Sequence, residues 1–282
     1  MPEETHTITR AHGVRLFASA LFALSALGPL AAQAQTPARF YLDTLSGATA
    51  VPVIVESVNG NTNPFDPAHS VLPGADFDAT LAMVGYARTF TLFDRSALAA
   101  IILPMGRISG DVTLGGRTFN QSASGFGDPM LEFAINLIGP PAQKNLPDAM
   151  RYEPGFSLDL LTDLALPIGE YNKDQALNIG QNRWYGRVGM PMTWQLGAWV
   201  PGRRTTLELL PSVRLFGENS DFVGQRLETD PMFQLDAHLT RDLTEHLWGF
   251  ARRRLVQWWR SDHQRREGGF DRHLRPRPYL GL

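Results

Sequence analysis

The chain has 282 residues, 43% of them hydrophobic and only 19% charged, with 26 glycines and 20 prolines. That composition suits many strands joined by turns better than long helices, and the length allows one large all-β domain or two ordinary ones. A net charge of -2 gives no basis for a nucleic-acid partner, and the lack of cysteine excludes thiolate metal sites, disulfide scaffolds and cysteine nucleophiles.

Arg10, His12 and Arg15 precede an apolar run from Leu16 to Leu30, and Ala32-Gln33-Ala34 follows as a small-x-small cleavage site. The run is shorter than the roughly 20 residues of a spanning helix and is broken by Gly28-Pro29, so residues 1–34 are predicted to be a signal peptide cleaved after Ala34 rather than an anchor. Residues 35–77 form an N-terminal segment in which Val51–Val58 is a first strand or part of a plug. No later run is long and apolar enough for a spanning helix, so a membrane protein with this sequence has to be a barrel.

Residues 78–249 carry the barrel signal. Asp78–Leu92 and Ser96–Met105 are joined by a short Phe93-Asp94-Arg95 link, as in a hairpin. Five further segments alternate apolar and polar positions with period two. In Asp128–Ile138, Leu131, Phe133, Ile135 and Leu137 oppose Asp128, Glu132 and Asn136. In Phe156–Leu166, Phe156, Leu158, Leu160 and Leu164 oppose Ser157, Asp159 and Asp163. Trp184–Leu196 sets Trp184, Val188, Met190, Met192, Trp194 and Leu196 against Tyr185, Arg187, Thr193 and Gln195. Thr205–Phe216 opposes Leu207, Leu209, Val213 and Leu215 to Glu208, Ser212 and Arg214; then Phe233, Leu235, Ala237 and Leu239 oppose Gln234, Asp236 and His238. Short links such as Gly197–Arg204 alternate with long polar ones at Gly106–Ser124, Pro167–Arg183 and Gly217–Asp230, the asymmetry of periplasmic turns and outside loops; Gly139–Pro154 is too long for a minimal turn.

Alternation does not reveal which face is inside. A soluble sandwich or lipocalin-like barrel buries its apolar face, whereas a membrane barrel buries its polar one. Trp184 and Trp194, near the two ends of one apolar face, match interfacial girdles. In the membrane case Asp128, Glu132, Asp159, Asp163, Arg187, Glu208, Arg214, Asp236 and His238 are the lumen-lining candidates. They either tune selectivity or pair with one another and fill the interior. A barrel hydrolase is the catalytic alternative, with His238 as base and Asp159 and Asp163 four residues apart on one face. It lacks a Gly-x-Ser-x-Gly nucleophile motif, and neither metal-ligand His pairs nor a phosphate-cradling glycine loop is present. Catalytic, cofactor and metal residues are therefore expected to be none.

Several strings resemble one known family. They are Asp78-Ala79-Thr80-Leu81 with Gly85-Tyr86-Ala87-Arg88-Thr89-Phe90, Ser124-Gly125-Phe126-Gly127-Asp128-Pro129, Pro167-Ile168-Gly169-Glu170-Tyr171, Asn178-Ile179-Gly180-Gln181-Asn182-Arg183-Trp184, Asn219-Ser220-Asp221-Phe222 and Thr229-Asp230-Pro231. In this order and spacing, over about residues 45 to 249, they resemble the MetA-pathway of phenol degradation family of outer-membrane transporters. The resemblance implies an antiparallel up-and-down outer-membrane β-barrel for passive transport of small hydrophobic or aromatic molecules. Its partners would be membrane lipid, the solute and the barrel-assembly machinery. A structural or adhesive barrel is the competing class.

From Phe250 the alternation gives way to Ala251-Arg252-Arg253-Arg254, Arg260, Arg265-Arg266 and Arg272-His273-Leu274-Arg275-Pro276-Arg277-Pro278. Read one nucleotide later, codons permitted for this stretch encode an alternating strand-like string, so residues 250–282 are read as a frameshifted, Arg-rich tail. The expected barrel is then incomplete at its C-terminus, its intact form having about ten to twelve strands.

Overall fold

The computed structural model describes residues 45–68, 75–114, 117–152, 155–198, 200 and 202–258. The predicted signal peptide and the tail beyond Trp258 lie outside the described residues. The elements are β1 (Thr49–Ala50), β2 (Val53–Gly60), β3 (Asp76–Leu92), β4 (Arg95–Leu114), β5 (Arg117–Phe126), β6 (Met130–Ile138), α1 (Leu146–Arg151), β7 (Phe156–Ala165), β8 (Tyr185–Gly189), β9 (Met192–Gln195), β10 (Thr205–Phe216), β11 (Asn219–Phe222), β12 (Gln225–Leu227), β13 (Met232–Asp242) and β14 (Trp248–Trp258). Twelve of the strands make one antiparallel sheet in up-and-down order, and β11 and β12 form a separate hairpin. β5 and β6 succeed one another along β4, and β8 and β9 along β10.

Phe93 and Asp94 both have positive φ, 50° and 59°, the conformation of the two-residue turn that matches strand twist. It joins β3 to β4 in unbroken register from Leu92↔Arg95 to Asp76↔Asp111. The long loop expected over Gly106–Ser124 is instead a hairpin: β4 continues to Leu114 and β5 returns beside it. The glycines taken as loop markers serve close packing. A Cβ on Gly106 would lie 2.0 Å from the Thr80 carbonyl oxygen and 3.0 Å from the Phe65 ring. The strand expected over Trp184–Leu196 is cut by Pro191, which lacks a backbone donor. Its phase survives, because Val188 and Met190 remain exposed on one side and Arg187 buried on the other. The break expected at Phe250 falls inside β14, which pairs with β13 from Asp242↔Trp248 to Met232↔Trp258. The pairing runs on through the arginines: Arg254 turns inward onto Asp236, Nε to Oδ1 2.6 Å, whereas Arg253 is exposed on the outer face opposite Ala237.

Burial supplies the sense of the alternation. On β13, Gln234, Asp236, His238 and Thr240 are buried, while Phe233 and Leu239 are exposed. The same inversion holds on β6 to β10, with Glu132, Asp163, Arg187 and Glu208 buried and Leu131, Leu164, Val188 and Val213 exposed. Half-exposing a branched side chain to water costs about 1 kcal/mol. A dozen of them on one continuous face would cost as much as the roughly 5–15 kcal/mol that holds a domain folded. Water is therefore the wrong solvent for this face, and hydrocarbon the right one.

β2 to β5 depart from this pattern toward the end that bears the long loops. Their outward rows run Val53–Val84–Leu103, then Val55–Ala82–Met105–Phe126, then Ser57–Thr80–Arg107–Ser124, then Asn59–Asp78–Ser109–Ser122. Within one register step the row changes from apolar to polar. Behind the polar rows the inner face is apolar: Phe65, Phe77, Ala79, Leu81, Ile108 and Val112 pack with Leu177 and Ile179 into one buried cluster. The upper part of this wall is thus built like a water-soluble protein, with its own core.

Candidate functional site

The antiparallel register stacks the inward residues in belts. The uppermost belt runs across β6, β7, β8 and β10 as Glu132↔Asp163↔Arg187↔Arg214. Arg187 Nε donates to Asp163 Oδ2 at 2.7 Å, and its NH2 stands 4.0 Å from Glu132 Oε2. The next belt brings Ser212 beside Gln234. Below it, Asn136 faces Asp159, donating to Oδ1 at 2.7 Å, and Asp236 faces Arg254. Gln234 Nε2 also donates to Asp236 Oδ2. In the lowest belt Thr193, Glu208, His238 and Arg252 are direct neighbours. Arg252 in turn acts electrostatically on Glu56 of β2, so the first and last walls of the sheet approach one another. Among the described residues no hydrogen bonding joins these two walls.

Eight of the nine predicted residues therefore occupy three belts of one interior surface, acid beside base. Seven of the nine are buried; Asp159 and Arg214 are partly buried. Gln234 and Thr240 are 0% exposed, and a void of about 10 Å³ bordered by Glu208, Asp236 and His238 has room for about one water. A buried ion pair of this kind is retained only when both partners are present, since an uncompensated charge costs about 3–5 kcal/mol.

Asp128, the ninth, does something else. It lies between β5 and β6, and its carboxylate accepts from the backbone N–H of Gly169 at 2.9 Å and of Gln181 at 2.8 Å. It thereby holds both ends of the loop between β7 and β8. The loop passes so closely that a Cβ on Gly169 would lie 2.6 Å from the Gly127 carbonyl carbon, and one on Gly180 2.7 Å from that of Gly169. Further ties converge here. Gln181 Nε2 donates to Phe65 O, Asn219 Nδ2 to Gln181 O and Tyr171 Oη, and Gln121 Oε1 accepts from the N–H groups of Ala176 and Leu177. Burial raises the Tyr171 phenol above its ordinary pKa despite the Asn219 bond, so it remains a donor at neutral pH, to Asp221 O at 2.8 Å. Arg183 is buried over the Phe216 ring, 5.2 Å from its centroid, and donates to Thr229 Oγ1 at 2.5 Å. Period-two reasoning missed Gly169, Gly180, Gln181, Arg183 and Asn219, because loop residues carry no periodicity. The signal was present in the strings Pro167–Tyr171, Asn178–Trp184 and Asn219–Phe222, which the fold brings together with Gly127-Asp128.

An apolar outside, a charge-paired inside and a loop tied to Asp128 define a transmembrane β-barrel. The chain belongs to the MetA-pathway of phenol degradation family, whose sequence profile matches residues 59–264. Its fold is similar to that of the COG4313 outer membrane channel from Pseudomonas putida F1, known from a crystal structure. The TM-score is 0.57 at 19% identity, covering 78% of this chain and 75% of that one. No curated protein matches it.

Proposed function

We propose that the protein is a non-enzymatic outer-membrane channel for small hydrophobic or aromatic molecules, exported on the signal peptide that ends at Ala34. The observation that carries this reading is the inverted polarity of β6 to β13, which suits a wall between lipid and a polar lumen. Family membership and likeness to an outer-membrane channel support it. Because the belts are neutralised in place, selectivity in this reading comes from the paired charges a solute must pass, and opening requires the β7–β8 loop to leave Asp128. Planar-bilayer recording and liposome swelling with the folded protein test it. Solute-dependent flux is expected, and impermeable liposomes carrying correctly folded protein would refute it.

The pairing of the interior charges with one another favours a second reading, a non-transporting structural or adhesive barrel whose loops bind a partner. It predicts no flux even after the loop is released by Asp128→Ala, whereas the channel reading predicts that this variant conducts more than the parent.

A further inference from the structure

The polar row directly above the apolar band carries a cation that makes no ion pair among the described residues. This residue, Arg107, is exposed, and its row partners are Thr80 and Ser124. A surface depression of about 210 Å³ lies around it, bordered by Ser57, Asp78, Thr80 and Ser109. Asp78, the one acid there, stands a row farther from the band and accepts from the Asn59 amide. The row immediately below is Val55–Ala82–Met105–Phe126, a greasy ledge on the same face.

The site thus joins a guanidinium and three hydroxyls to an acyl-compatible surface, at the level where hydrocarbon gives way to headgroups. Guanidinium matches the oxygens of a phosphate, and hydroxyls supply further donors. The long loops share this end of the barrel, and in outer-membrane barrels long loops face outside. On the reading above, the adjoining leaflet is therefore the outer one, where the phosphorylated lipid is a glycolipid. We infer that this depression docks a phosphate of lipid A, with acyl chains lying over Val55, Met105 and Phe126.

The test is native mass spectrometry of the folded full-length protein with bisphosphorylated lipid A, its dephosphorylated form and phosphatidylglycerol. Lipid A is expected to be retained over the other two. One cationic contact at a membrane surface is worth about a fivefold change in binding, so Arg107→Ala should lower lipid A retention about fivefold. Arg107→Gln, which keeps the stem and removes the charge, should repeat the loss, and Arg203→Ala at the opposite end should not. Equal retention by the parent and both Arg107 variants overturns the site, and equal retention of phosphatidylglycerol overturns the assignment to lipid A. Heat-modifiable migration confirms folding, and conductance is recorded on the same samples. A parent that holds lipid A without conducting refutes the channel and leaves the site standing; a conducting parent indifferent to Arg107 does the reverse.

Discussion

Ile101 and Ile108 lie on one strand, yet the first is 46% exposed and the second 0%. They belong to two regions that solve opposite solvent problems with one continuous β4. In the spanning wall, apolar side chains turn outward and charges are buried in pairs. In the raised part of β2 to β5, apolar side chains turn inward onto Leu177 and Ile179 and polar ones turn out. A period-two strand can serve either solvent because its two faces are chemically independent. Moving the apolar set from one face to the other within a strand marks where the solvent changes.

Substitutions that remove one partner from the buried belts should have the largest effect. Arg187→Met removes the guanidinium that donates to Asp163 and faces Glu132, and is expected to lower stability by about 3–5 kcal/mol, measured by urea unfolding of the protein in vesicles. In the raised region the corresponding break is in an apolar core. Ile108→Ala should cost about 2–5 kcal/mol and, by loosening Leu177 and Ile179, also raise conductance. An arginine on the outer face separates the two regions most sharply: Leu160→Arg, midway along β7, should cost about 2–4 kcal/mol, and Ser122→Arg within about 0.5 kcal/mol. Asp128→Ala removes two hydrogen bonds to backbone donors and is expected to cost about 1–3 kcal/mol. Its readout is faster exchange of the Gly169 and Gln181 amides.

The spanning wall was largely legible in the sequence because lipid outside and pairing inside impose strict alternation. Eight candidates, from Glu132 to His238, fall on the predicted face. What alternation could not supply was its sense, which depends on the curvature of the sheet rather than on any single strand. The raised region was less legible for a related reason. Gly106 and Gly110 look like loop residues, yet in β4 they allow the backbone of β3 to approach, so glycine read as a turn was in fact a packing device. The mouth was hidden altogether from periodicity. Asp128 was correctly counted as polar, but its partners Gly169 and Gln181 are 41 and 53 residues away and are held through backbone N–H groups, which carry no residue signature.

The parent chain contains no cysteine, so single cysteines report solvent without background. Met105→Cys and Ser109→Cys, two rows apart on the outer face of β4, should be compared in liposomes with a membrane-impermeant thiol reagent. If the membrane edge lies between their rows, Ser109→Cys labels rapidly and Met105→Cys is protected until detergent is added. Equal labelling of both positions in intact liposomes would contradict the account.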